Sequence, residues 1–350
     1  TVSTLFPALK AIGEEEGERI FYLTAKTITR QVAEDALEAL KDVGADTKSV
    51  TLTAKDKICF LDETTCNPDQ CPYANGYYNR INEGLWDLLN HENQIPREVI
   101  ETYAKKHTLC PFELSLGVSL WCDVIIGDYN YLFDPTVYLR RFFEGEKNED
   151  HLFLIDEAHN LVSRSREMYS AKLSYRSARN VYALIPKEFK KLRRRFNKLL
   201  KSFDQIQEIS NEDGWTYHHQ KAPADTLVNA GYQLSEQIQE WLAEYPEHAI
   251  QETLLPFYFD LLHFLKISEF YDDHYETTVE KTYQDFIIKA FCIDPSDFLE
   301  QSLAKGRSSI LFSASFSPLS YYQETLGGKE SLAYRLPSPF PEENQKVLIT

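Results

Sequence analysis

The sequence predicts an α/β protein built on a parallel sheet and interrupted by two insertions. Three observations predict it. Short apolar runs alternate with helical patterns, a cysteine-bearing stretch breaks the alternation after residue 54, and a long helix-dominated stretch breaks it again after residue 164. In order, residues 4–12 read as a helix and Arg19–Ala25 as a buried strand rich in aromatic and branched side chains. A helix follows to about Leu40, with Thr27 or Thr29 as its cap. Val50–Leu52 reads as a second strand. From Lys55 to about Leu116 the pattern breaks, with cysteines at 59, 66, 71 and 110 around a helical stretch containing Trp86. Strands resume at Val124–Gly127 and Leu152–Ile155.

Residues 165–300 read as mainly helical, with few strand signals and with loops at Asn211–Gly214 and Pro223. Within them Lys187–Lys201 holds eight basic residues and one acid, a pattern that could touch phosphate but is more often the solvated face of a helix. Ser309–Ser313 returns as an apolar strand. Leu336–Pro341 is Pro-rich and reads as a linker to a further segment.

Length suggests two or three domains. The formal net charge of −17 argues against a simple basic DNA-coating protein, though not against a motor with a local nucleic-acid groove. Neither an 18-residue apolar run nor a signal peptide is visible, so the expectation is an intracellular protein (bacterial cytoplasm or eukaryotic nucleus) without membrane contact. Six cysteines in 350 residues do not make a secreted disulfide scaffold. The chain begins Thr1-Val2-Ser3, without Met, and reads as part of a longer one.

The chemistry centres on Leu152-Phe-Leu-Ile155 followed by Asp156-Glu157-Ala158-His159. A buried strand ending in two carboxylates has the logic of a Walker B site for ATP. Asp156 is placed to hold Mg²⁺ and Glu157 to polarise an attacking water. His159 is placed to couple the site to a neighbouring strand. The phosphate-cradling G-x-x-x-x-G-K-[ST] loop is absent. Either Thr1 is its last residue, or the protein has none.

Cys59-x6-Cys66-x4-Cys71, then Cys110, form a four-thiol set. It suits a 4Fe–4S cluster or structural zinc, although tight C-x₂-C pairs are missing. Plain buried cysteines fit poorly with a loop as polar as Thr64–Gln70. Cys122 and Cys292 lie in apolar surroundings and read as core.

These residues together resemble the XPD/Rad3–DinG group of superfamily 2 helicases. Tyr22-Leu-Thr-Ala-Lys-Thr27 looks like motif Ia, Asp156–His159 matches the DEAH box, and Ser308–Ser315 followed by Phe316–Leu319 looks like motif III. Cys122–Pro135 and Phe291–Ser296 are similar to further family segments. The resemblance implies a RecA-like motor domain from residues 1–54, 117–164 and 301–350. It implies a 4Fe–4S cluster domain over 55–116, held by Cys59, Cys66, Cys71 and Cys110, and a helical Arch over 165–300. It implies a monomeric ATP- and Mg²⁺-dependent helicase that moves 5′ to 3′ on single-stranded DNA and opens forked DNA in repair. Ser313, Ala314 and Ser315 would couple nucleotide state to DNA grip. As a fragment without P-loop and second motor domain, the chain is expected to be inactive.

By position in motif Ia, Lys26, Thr27 and Arg30 are candidate DNA-backbone contacts. Tyr73, Tyr77, Tyr78 and Arg80, and secondarily Tyr129, Asn130 and Tyr131, combine aromatics with charge or polarity as single-strand tracks do. The rival reading is a non-enzymatic, Fe–S-stabilised single-stranded-DNA-binding module; a zinc-bound regulatory protein is the third.

Overall fold

A computed structural model describes residues 1–64, 66–144, 150–214, 216–337 and 341, and of residues 210–213 the backbone alone. The expected strands form, with shifted ends: β1 (Arg19–Leu23), β2 (Ser49–Thr51), a short β3 (Gln94–Ile95), β4 (Val124–Gly127) and β5 (His151–Asp156). The excursion after β5 carries β6 (Ala171–Ser174), β7 (Tyr217–Gln220), β8 (Tyr275–Lys281) and β9 (Phe286–Cys292). Then β10 (Ser308–Phe312) returns.

Six of these strands form one parallel sheet in the order β10-β5-β1-β4-β2-β3. Every residue of β4 and β5 is buried, and β1 is buried from Ile20 onward, because helices cover both faces. On one face Ile20, Tyr22, Val124, Ile126 and Leu154 pack under helices Val2–Gly13 and Thr27–Asp42. On the other, Phe21, Phe153 and Ile155 pack with Phe143 and Tyr129. Gly306 lets β10 approach: a Cβ there would lie 2.8 Å from the His151 carbonyl oxygen and 2.6 Å from the Phe153 ring.

Three sequence expectations change. Neither Thr27 nor Thr29 caps its helix; Lys26 stands at the N-cap, with no side-chain cap bond. Asn211–Asp213 is the end of a helix, Lys190–Asp213, rather than a loop, and Gly214 at φ +72° follows it. The 165–300 region is not simply helical, because it contains the antiparallel sheet β6-β9-β8-β7. Polar Glu and Lys side chains mask these strands in a composition reading. Alternating burial along β8 and β9 shows one face on the core, and the Thr282–Asp285 turn joins them. Half of the Leu336–Pro341 expectation, residues 338–340, lies outside the described residues.

The excursion leaves and re-enters the core at one place. Ser170 Oγ accepts from the Cys292 amide at 2.9 Å, and Arg166 Nε donates to the Ile293 carbonyl at 2.8 Å. The cysteine-bearing stretch is also tied in, since β3 within it pairs with β2.

Candidate functional site

Register puts the site where three strands end together. Leu23 of β1 lies beside Ile155, and Phe312 of β10 lies beside Asp156. Strand β5 then stops, because Glu157 takes the left-handed conformation at φ 50°, ψ 41°. A glutamate there carries roughly 1–3 kcal/mol of strain unless its surroundings hold it. Here the Tyr129 hydroxyl faces the carbonyl oxygens of Asp156 and, at 2.9 Å, of Glu157, and the Asn160 amide donates to the latter at 2.9 Å.

The two carboxylates sit in different surroundings. Asp156 is buried. One of its oxygens accepts from the Glu157 amide at 2.8 Å, and the other accepts from the Tyr22 hydroxyl. Burial, and then the Asp156 hydrogen bond, push the Tyr22 phenol far above its ordinary pKa, so it stays a donor. The same hydroxyl stands 3.4 Å from Thr1 Oγ1, which brings the start of the first helix to Asp156. Glu157 instead leaves its side chain 37% exposed. Beside its Oε2, at 3.1 Å, is His159 Nδ1, which also stands 2.8 Å from Ser313 Oγ; Ser313 Oγ faces Ser315 Oγ at 3.2 Å. The sequence-predicted Asp156, Glu157, His159, Ser313 and Ser315 thus converge, with Thr1 at the edge. Ala314 is exposed between the two serines.

Sequence reading missed Tyr22 and Tyr129 as supports of this site. The one available signal was that a buried tyrosine, unlike a phenylalanine, needs a partner for its hydroxyl. It also proposed Tyr129 and Tyr131 as nucleic-acid contacts. Both are buried, and Tyr129 spends its hydroxyl on the site, so neither presents a face to a base. Asn130 is half-buried and accepts from Arg164 at 3.0 Å.

Of the motif Ia residues, Lys26 and Thr27 are exposed at a helix N-terminus, where backbone amides favour an anion. Arg30 is turned inward and pairs with Asp128 at 3.0 Å. Arg164, on the helix after the DEAH run, reaches the other oxygen of Asp128 at 3.6 Å. In the cysteine stretch Tyr78 is exposed, Tyr77 is half-buried, and Tyr73 packs edge-on against Phe60 at 4.9 Å. Arg80 donates to the carbonyls of Asn75 at 2.6 Å and Thr108 at 2.7 Å, so it ties two segments together.

The four cysteines have the right donor chemistry for a cluster but are not gathered into one. Cys59 ends the short helix Lys55–Ile58, Cys110 stands at the N-cap of helix Pro111–Val118, Cys71 is buried and Cys66 is exposed. The Lys55 ammonium lies 3.7 Å from Cys66 Sγ and favours the Cys110 thiolate, although burial pushes that thiol up on balance. Among the described residues no three Cys, His, Asp or Glu side chains converge as metal ligands. Cys122 and Cys292 are core residues, and burial pushes both thiols up to about 12. No helix among the described residues is long and apolar enough to cross a membrane.

Residues 28–178 match the DEAD_2 family model. The chain is 26% identical over 183 residues to the general transcription and DNA repair factor IIH helicase subunit XPD of Schizosaccharomyces pombe, covering 48% of this chain and 22% of that protein. It is 22% identical over 354 aligned positions to the ATP-dependent DNA helicase CHL1 of Saccharomyces cerevisiae, covering 90% of this chain and 39% of that one. The chain therefore spans well under half of the length of either relative. A solved structure titled "Truncated XPD" superposes with a TM-score of 0.60 at 17% identity, over 96% of this chain and 92% of its own.

Proposed function

From the premise that this chain is an XPD/Rad3-like member of superfamily 2, we propose that it is the nucleotide-facing part of an ATP-dependent DNA helicase. We further propose movement 5′ to 3′ on single-stranded DNA, opening of forked duplexes, and a role in repair. One observation carries the reading. Two carboxylates with opposite surroundings sit at the end of β5, and the exposed one is joined through His159 to the residues after β10.

The roles follow from the surroundings. Asp156, held by Tyr22 and its neighbouring amide, is the Mg²⁺-side carboxylate, with the Thr1 hydroxyl beside it. Magnesium, when bound with ATP, neutralises charge developing on the transferred phosphate. Glu157 faces solvent and positions the attacking water as its base. His159 and Ser313 connect that carboxylate to β10, so a change at the phosphate reaches the Ser313–Ser315 segment. Lys26 and Thr27 are the proposed DNA-backbone contacts. Arg30 and Arg80 act indirectly, by holding the elements that present such contacts. Cys59, Cys66, Cys71 and Cys110 are the proposed ligands of a 4Fe–4S cluster, on donor chemistry rather than on converged geometry.

The test is Glu157→Gln in the intact protein. ATP and DNA binding are expected to persist while hydrolysis falls by about 10²–10⁴-fold, the usual contribution of a positioned base. Hydrolysis near the wild-type rate would remove Glu157 from the mechanism. The non-enzymatic single-strand-binding alternative predicts no ATP turnover in the intact wild-type protein.

A further inference from the structure

Seven of the eight cations of the basic run lie on the helix Lys190–Asp213, and these divide into two groups. Arg193 donates to the carbonyl of Tyr182 at 3.2 Å and to that of Ile185, and its guanidinium covers the Tyr182 ring at 4.3 Å. Arg195 donates to Gln233 at 2.6 Å. These two are structural. Lys190, Lys191, Arg194, Lys198 and Lys201 are all exposed. At 3.6 residues per turn they fall within roughly 100° of one helix face and run about 17 Å along it. The opposite face, Leu192, Phe196, Leu199, Leu200 and Phe203, is buried in the core, so this helix cannot rotate or insert elsewhere.

No carboxylate among the described residues lies within ion-pair distance of these five cations. Lys198 reaches only the neutral Gln233, at 2.9 Å. In a chain with 54 acidic and 37 basic residues this is unexpected. Exposed helical cations normally gain a few tenths of a kcal/mol from acids one turn away. Here the first acid of the helix, Asp204, stands one turn beyond Lys201, and Lys190, Lys191, Arg194 and Lys198 have none within a turn on their helix.

We propose that this face is a docking surface for the phosphate backbone of double-stranded nucleic acid. It rests on the nucleic-acid motor reading above and adds a second contact to it. Three features choose this occupant. A row of five cations along about 17 Å matches a rod that carries a charge every ~1.7 Å. The face shows no aromatic side chain between residues 190 and 201, whereas single-strand tracks need stacking platforms. It also shows no apolar anchor of the kind that carries protein–protein affinity. Contacts of this type position without reading sequence.

The experiment measures binding of a blunt DNA duplex and of a single-stranded oligonucleotide across a salt series. It compares the wild-type chain with the triple variant Lys190→Gln, Arg194→Gln, Lys198→Gln. The variant should bind duplex about tenfold more weakly at low salt and flatten the log K against log salt slope by about 2–3. Its single-strand affinity and melting temperature should not change. Unchanged duplex affinity and slope overturn the proposal. So does displacement of the duplex by polyglutamate at equal charge, which would assign the face to an acidic polypeptide. Loss of single-strand binding in the wild type would instead overturn the motor reading, and leaves the duplex comparison intact.

Discussion

The end of the parallel sheet and the cysteine-bearing stretch are both candidate metal-dependent sites, yet they are built in opposite ways. At the sheet end every group is already placed: both oxygens of Asp156 have donors, the strained Glu157 backbone is held by Tyr129 and Asn160, and His159 reaches Ser313. In the cysteine stretch the four thiols share a small lobe without converging. The difference teaches where the organising energy comes from. A carboxylate site at a strand terminus is shaped by the sheet and its hydrogen bonds. A four-thiolate site is shaped by its ligand, whose binding energy is then also folding energy.

The largest expected effect follows directly. If the four thiols hold the proposed 4Fe–4S cluster, removing the iron should withdraw folding energy on the order of 10 kcal/mol, as for other structural metal sites. Limited proteolysis should then cut within residues 59–75 while the sheet core resists. Identical digestion before and after iron removal would show that the lobe stands without its ligand, and the contrast would collapse.

The sheet end should respond more modestly. Tyr22→Phe removes only the hydroxyl that donates to Asp156, a hydrogen bond to a charged group worth about 1.5–3 kcal/mol. Chemical denaturation should show that loss, and ATP turnover in the intact protein should fall with it. Full stability and turnover would mean that Asp156 is placed by the strand alone.

The smallest effect lies at the other end of the same strand. His151 is packed against the rings of Phe21 at 5.0 Å and Phe143 at 5.8 Å. Burial, and then Arg19, lower its pKa to about 4 from 6.5. The folded chain therefore binds fewer protons than the unfolded chain in this window. The His151 contribution is complete above pH 6.5 and is lost as pH falls toward 4. His151→Leu should flatten stability across that range; an unchanged pH profile would show that the histidine already titrates freely.

Much of this was legible in advance. The contiguous apolar runs of β1, β4 and β5 announce strands covered on both faces, and the carboxylates after Ile155 announce a site at the sheet edge. The sheet in the second insertion was not legible, because β8 alternates threonine and glutamate with its buried positions and resembles helix surface in composition. Arg30 and Arg80 looked like nucleic-acid contacts because charge is visible in a sequence and its partner is not; Asp128 and the carbonyls of Asn75 and Thr108 claim them.

The sequence by itself determined the parallel α/β class and the pair Asp156–Glu157 at a strand end. Each depends on residue type and local spacing, which the chain carries along its length. Only the tertiary structure decided that Tyr22 holds Asp156 across 134 positions, that His159 meets Ser313, and that Arg193 and Arg195 of the basic run are taken up by packing. Those outcomes depend on which side chains the packed sheet and helices bring within hydrogen-bond distance, and no local pattern encodes a partner that arrives from another strand.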